Sequence, residues 1–290
     1  MKNIIICGLG AVGLTYAMKL KDHCNLWILV DKERLERYSK NRPTFNNEEQ
    51  SFNYILPDQK FPADLIIIST KASGLDSAIE NIKNYVTPQT RILSLLNGIS
   101  SEEKIKQAYP NSIVLKSYFI GHSAVRNNNN VIQDGVGEIV FEQDEKLAKF
   151  FDEIKLDYSI PKDIDYALWL KFTMNIFSNQ TSAILGLTFG EMKNNPVFIE
   201  YAKKLINEVK LIAEKKGVKN LENLEKDALY SLSRMCDEGK TSMHQDILAH
   251  RKTEVDIFAG EIIKLGKELN IQTPYNQVLY DLIKIKEETL

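Results

Sequence analysis

Residues 3–14 read NIIICGLGAVGL, and no other stretch restricts the fold as strongly. Gly8, Gly10 and Gly13 form a G-x-G-x-x-G directly behind an apolar run and at the opening of a helical pattern. Each spacing has a mechanical purpose. The first glycine permits a tight turn, the second lets a pyrophosphate approach the backbone, and the third lets the helix pack closely on the strand. A helix that starts here offers its unpaired N–H groups to a diphosphate. Lys2 followed by an apolar run also resembles a secretory signal, but three glycines at fixed offsets favour a first strand that stays in place.

Behind this opening, the first half alternates short apolar runs with helix-compatible stretches. Strands are expected at 3–7, 25–30, 64–69, 91–96 and 113–119, with helices over 74–85 and 101–108. Several runs are nearly continuous Ile, Leu and Val, the mark of strands buried on both faces of a parallel sheet. The reading is an α/β fold: a Rossmann-type doubly wound sheet over 1–161. Residues 125–141, with an Asn-rich turn, suggest a hairpin at its edge. After "SIPKD" the texture becomes helical: 163–185, a helix from Pro196 to Gly217, 221–235, 246–269, and a last piece from Pro274. Residues 162–290 are therefore expected to form an all-helical domain carrying the substrate and the catalytic groups.

Composition excludes more than it suggests. Lys and Arg number 37 against 39 Asp and Glu, a net charge of −2 that gives no reason to expect nucleic acid or an anionic membrane as partner. No run reaches the roughly 18 uncharged apolar residues that span a bilayer. Cys7, Cys24 and Cys236 are odd in number and widely spaced, as in a cytoplasmic protein with reduced thiols. His23, His122, His244 and His250 lack metal-ligand spacing, so no metal is expected.

Four further features carry chemistry. Asp31 closes the second strand, where an acidic residue accepts hydrogen bonds from the ribose 2′-hydroxyl of NAD(H). Lys32 and Arg34 follow it and could instead clamp a 2′-phosphate, or "DKERLER" could be a solvated helix start. Lys71 and Asn97 follow strands at their carboxyl ends, where ligands of open α/β sheets bind, although a Lys there is often just exposed. In "LWLKFTMNIFSN" (168–179), Lys171, Asn175 and Asn179 form a polar stripe on a helix otherwise apolar all round. Burying these groups without partners would cost several kcal/mol. If the helical domain packs across the mouth of the nucleotide domain, Lys171 can protonate an alkoxide, with burial lowering its pKa; the alternative is a buried Lys paired with a carboxylate.

Together "GLGAVG", "STKA", "LLNGIS", "GHSA", "LWLKFTMNIFSNQTSAI", "TSMHQDILAHRKTEVD" and "NIQTPYN" resemble the ketopantoate reductase family, of the 6-phosphogluconate dehydrogenase-like group, across nearly the whole chain. The resemblance implies NAD(P)H-dependent reduction of 2-dehydropantoate to pantoate, in pantothenate and coenzyme A biosynthesis. A dehydrogenase for another branched 2-oxo acid, or a dinucleotide-binding sensor without catalysis, stands as the alternative. It implies Lys171 and Glu254 as catalytic residues, Lys171 being the proton donor, with Asn97, Asn175, Asn179 and Ser242 holding substrate. Gly8, Leu9, Gly10, Ala11, Val12, Gly13, Lys71, Asn97 and Ala124 match cofactor-contacting positions. NADPH is the family default, with Arg commonly at the position of Asp31; Asp31 argues for NADH. Phe189 stands where a relative can carry a polar substrate contact. The expected partners are a small 2-oxo acid and, as monomer or homodimer, at most a second copy of the chain.

Overall fold

The computed structural model describes residues 1–121, 123–127, 129–135 and 137–289. His122 of "GHSA", Asn128 and Val136 of the expected hairpin, and the final Leu290 lie outside the described residues. The chain divides into two units, Met1–Ile164 and Asp165–Leu290.

The first unit contains β1 (Asn3–Cys7), α1 (Ala11–Leu20), β2 (Asn25–Leu29), α2 (Lys32–Lys40), β3 (Thr44–Phe45), β4 (Glu48–Glu49), β5 (Asn53–Ile55) and β6 (Leu65–Ile68). It continues with α3 (Leu75–Asn81), β7 (Arg91–Ser94), α4 (Ser101–Ala108), β8 (Ile113–Leu115), β9 (Ser117–Ile120), β10 (Ser123–Asn127), β11 (Asn130–Asp134), β12 (Glu138–Phe141), α5 (Glu145–Glu153) and β13 (Tyr158–Ser159). Six strands pair in the order β5-β2-β1-β6-β7-β8, all parallel. Strand alternation sends Ile4, Ile6, Ile28, Leu65, Ile67 and Leu93 into one core and Ile5, Cys7, Leu29, Ile66, Ile68 and Ile92 into the other. Both faces are apolar because both are covered. Each fully buried Ile or Leu contributes about 1.5–3 kcal/mol.

Two expectations about this unit are corrected. The run 113–119 is two strands, because the Ser117 hydroxyl takes over the backbone of Ser94: Ser94 N–H donates to it at 3.1 Å and it donates to the Ser94 carbonyl at 3.0 Å. Chain continuing from β8 therefore leaves the parallel ladder, and β9 pairs antiparallel with β12. The Asn-rich segment does form a hairpin, β10 with β11, but in a separate four-stranded sheet ordered β10-β11-β3-β4. The strands β3, β4 and β5 are two or three residues long and left no periodic signal.

The second unit is helical: α6 (Ile164–Leu185), α7 (Phe189–Lys193), α8 (Pro196–Lys215), α9 (Leu224–Ser233), α10 (Ser242–Leu248), α11 (Ala259–Leu269) and α12 (Pro274–Glu287). Expected continuity over 246–269 fails. His250 adopts φ +51, and the chain turns back so that Arg251 N–H donates to the Asp246 carbonyl at 2.9 Å. A buried polar chain ties four helices together. Glu208 on α8 accepts from Tyr275 N–H, Asn276 N–H and Asn276 Nδ2 at the start of α12. The Asn276 amide oxygen in turn accepts from Gln180 on α6, whose own amide oxygen accepts from Ala259 N–H on α11.

Arg91 at the head of β7 donates through Nε to Asp144 at 2.8 Å, both side chains being 11% exposed. Asp144 also accepts from Leu147 N–H, capping α5. Burial works against the Asp144 carboxylate, yet the Arg91 guanidinium and the Leu147 N–H outweigh it and hold its pKa below the usual range. Arg91→Met strands this carboxylate and should cost about 3 kcal/mol at pH 7. Because the folded pKa is depressed, the pair's contribution is present above the unfolded value of about 3.9 and disappears as pH falls through the folded value. Urea denaturation of both proteins should show a large gap at pH 7 that narrows toward pH 3; a gap independent of pH would contradict this.

Candidate active site

The register of the parallel sheet aligns Cys7 with Leu29 on one side and Ile68 on the other, and Ile68 with Ser94. The loops after β2, β1, β6 and β7 therefore leave one edge of the sheet side by side. They carry Asp31, the Gly8–Gly13 turn, Lys71 and Asn97 in that order. This is the carboxyl edge, with the reversal of strand order falling between β1 and β6, where open α/β sheets take their ligands.

The glycines are demanded by space. Gly8 has φ +100, and a Cβ there would lie 2.9 Å from the Ser69 carbonyl oxygen. A Cβ on Gly13 would lie 1.9 Å from the Gly8 carbonyl oxygen and 2.5 Å from Ser69 Oγ. At Gly10 the nearest heavy atom would be 3.9 Å away, which leaves the backbone approachable. Gly10 is the N-cap of α1 and supplies no side-chain cap. The first-turn N–H groups, with half-buried Ala11 and Val12, are thus left without a side-chain acceptor. Nearby, Thr70 Oγ1 is buried and has no hydrogen-bond partner among the described residues. An open, uncapped helix N-terminus suits a dinucleotide diphosphate.

The remaining expected cofactor positions spread around this turn. Leu9 is buried; Lys71 is exposed, just before a 3₁₀ turn (Ala72–Gly74). Asn97 is half-buried and precedes Gly98 at φ +96, while Ala124 is half-buried on β10. Asp31 is the N-cap of α2, accepting from Arg34 N–H at 2.6 Å on one oxygen and from the Arg34 guanidinium on the other. Arg34 and Asp31 thus form a solvent-exposed ion pair.

In the second unit the polar stripe of α6 acquires partners. Lys171 and Asn175 are half-buried and Asn179 is 5% exposed. Asn179 Nδ2 donates to Asn175 Oδ1 at 2.9 Å, and Asn179 Oδ1 accepts from Ser242 Oγ at 3.1 Å and Met243 N–H at 3.2 Å. Thr241 caps α10 by accepting from His244 N–H, and its hydroxyl meets Ser182 of α6 at 2.5 Å. So α10 is anchored on α6, and Asn175, Asn179 and Ser242 form one hydrogen-bonded group, with Lys171 one turn before Asn175.

Glu254 lies on a different element. It is half-buried on the turn entering a 3₁₀ segment (Val255–Ile257), not on the solvated side of a helix. Thr253 holds that turn, donating through N–H and hydroxyl to buried Glu287, each at 2.7 Å. Phe189 is buried, and a Cβ on Gly239 would meet its ring at 2.9 Å. An aromatic ring thus fills space beside the segment that delivers Ser242. Among the described residues no cluster of His, Cys, Asp or Glu could hold a metal ion, and no helix is long and apolar enough to cross a membrane.

Sequence reasoning missed Ser69, whose hydroxyl donates to the Gly8 carbonyl at 2.9 Å, Gln180, and Arg126, whose guanidinium donates to the Leu9 carbonyl at 2.7 Å. Arg126 had one legible signal, its position two residues beyond Ala124 on a strand, hence on the same face.

Comparison with known proteins follows the same division. A family model described as ketopantoate reductase PanE/ApbA matches residues 4–146, and its C-terminal counterpart matches residues 163–287. The 2-dehydropantoate 2-reductase of Pyrococcus horikoshii is 30% identical over 77% of this chain and 76% of its own. That of Streptococcus pyogenes serotype M1 is 26% identical over 99% of this chain and 98% of its own. A solved complex of D-mandelate dehydrogenase with NADH superposes with a TM-score of 0.87 over 100% of both chains at 24% identity, a likeness of fold.

The two stripe amides should differ in structural weight. Asn179→Leu leaves the buried Met243 N–H without an acceptor, while exposed Ser242 turns to water, and should cost about 1–3 kcal/mol. Asn175→Ala, where water can substitute, should cost below about 1 kcal/mol. Denaturant titration of both variants checks this, and equal losses would contradict the assigned bonds.

Proposed function

We propose that this chain, which belongs to the ketopantoate reductase family, reduces the ketone of 2-dehydropantoate to the alcohol of pantoate with NAD(P)H. The observation that carries the reading is the stripe Lys171–Asn175–Asn179 on α6, with Ser242 of α10 hydrogen-bonded to Asn179. A sensor that only binds dinucleotide has no use for it. The relatives' name supports the substrate; another branched 2-oxo acid is the second reading, favoured by Phe189, which stands where a relative can carry a polar substrate contact.

The residues divide the work by chemistry. Gly8 to Gly13, with Leu9, Ala11 and Val12, cradle the diphosphate; Lys71, Asn97 and Ala124 contact the rest of the dinucleotide. When bound, the reduced nicotinamide supplies a hydride to the ketone carbon. Lys171 donates a proton to the ketone oxygen as negative charge develops there, which removes the need for a free alkoxide. Asn175, Asn179 and Ser242 take the part of holding the substrate's carboxylate and hydroxyls, as does Asn97 on the first unit, and Glu254 takes that of the second catalytic residue. Asn179 suits its part because its own carbonyl is already engaged, which fixes the amide's orientation before substrate arrives.

For the cofactor's adenosine end we propose NADH. Asp31 presents a carboxylate that repels a 2′-phosphate, and the Asp31–Arg34 pair leaves Arg34 poorly suited to grip one. Asp31→Arg should shift the ratio of kcat/KM for NADPH over NADH upward by at least about tenfold, the loss of one repulsion and gain of one charged hydrogen bond. A wild-type enzyme a hundredfold better with NADPH would contradict this.

The test of function is loss of absorbance at 340 nm with a panel of 2-oxo acids and both cofactors. Lys171→Ala should then lower kcat roughly 10²–10⁴-fold with dinucleotide affinity nearly unchanged. A variant that loses stability yet keeps its turnover when cold would make Lys171 a structural cation instead.

A further inference from the structure

The carbonyls of the glycine turn are almost completely accounted for, and the accounting isolates one residue. The Cys7 carbonyl accepts from Ser69 N–H at 2.9 Å, the Gly8 carbonyl from Ser69 Oγ at 2.9 Å, and the Gly10 carbonyl from Leu14 N–H at 3.0 Å. All three donors come from the turn's immediate neighbours, α1 and the residue just after β6. The Leu9 carbonyl is different. It accepts from Arg126 Nη1 at 2.7 Å, a donor 117 residues away on β10. With that bond every carbonyl from Cys7 to Gly10 is held, while the N–H groups at the head of α1 stay without a side-chain cap.

We propose that Arg126 is a positioning residue for the dinucleotide diphosphate, holding the Leu9 peptide so that the turn presents donors and positive charge to the anion. This rests on the reading of the turn as a dinucleotide cradle. Glycines at 8 and 10 give the turn the greatest freedom to lose on binding. A peptide between them that rotated would bring its carbonyl dipole toward the phosphates and repel them. A charge-assisted bond from a guanidinium holds that dipole, and the cation beside it adds attraction for an anion. The register of β10 supports the placement: Ala124 and Arg126 are separated by two and share a face of the strand. The hairpin β10–β11 thereby becomes part of the cofactor site, although its sheet is separate from the parallel one.

The test uses the full chain, with Arg126→Met and Arg126→Lys, and two probes: NADH, and ADP-ribose, which has the diphosphate but no nicotinamide. Calorimetric titration should show Arg126→Met weakening both probes by about tenfold and by the same factor, the worth of one charge-assisted bond. Arg126→Lys should recover part of the loss, since an ammonium can still donate to one carbonyl. Steady-state kinetics should show the loss in KM for NADH, with kcat changed far less. Unchanged affinity in Arg126→Met, or a loss confined to NADH, would overturn the proposal while leaving the cradle intact. If Arg126→Met does not fold, Arg126→Ala decides: affinity equal to wild type for both probes would overturn it. Failure of the unmodified chain to bind either probe would instead overturn the reading of the cradle.

Discussion

A missing methyl group governs the first unit. The Gly13 α-carbon approaches the Gly8 carbonyl so closely that a Cβ would stand 1.9 Å from its oxygen. This proximity brings α1 down onto the end of β1, and the same contact region is shared by Ser69 at the end of β6. Three elements therefore converge on one turn. The chain meets the constraint with glycines, gives up a side-chain cap on α1, and gains an anion-receptive helix end. Asp31, Lys71 and Asn97 share its edge because parallel strands in register deliver their following loops to one side.

The second unit solves a different problem, how to keep polar side chains on a helix packed inside other helices. The answer is pairing. Gln180 and Asn276 are fully buried and Glu208 nearly so, and each has its hydrogen bonds taken by a neighbouring helix. Lys286 adds a cation at the C-terminal end of α6, donating to the Ala183 and Ile184 carbonyls. Breaking one partner of such a network costs more than the pair is worth, because the survivor stays buried. α6 is thus held at several points along its length, which gives the stripe of Lys171, Asn175 and Asn179 a rigid base.

Much of this was legible in the residues, for definite reasons. Runs such as Ile4–Ile6 and Leu65–Ile68 read as doubly covered strands because nothing but a covered parallel sheet tolerates them. Pro196 and Gly217 bracketed α8, which runs from Pro196 to Lys215 with Gly217 at φ +84. The stripe on α6 was visible because a polar residue in an apolar helix contradicts its surroundings. Other features were illegible because their cause is tertiary. The strand at 113–119 is divided by a serine's bonds to another strand, and the helix expected over 246–269 is broken by a turn that Glu287 secures from α12. Arg126 escaped because its partner is a backbone carbonyl, which no side-chain pattern reveals.

The proposed reaction moves a hydride from reduced nicotinamide to the ketone carbon of a 2-oxo acid. The most direct measurement follows the hydrogen. NADH deuterated at the transferable C4 position is incubated with the protein and 2-dehydropantoate, and the product is read by NMR and mass spectrometry. The expected product is pantoate carrying one deuterium on the carbon that was the ketone, its hydroxyl hydrogen exchanging freely with water. Cofactor that keeps its deuterium while the oxo acid remains unreduced would contradict it.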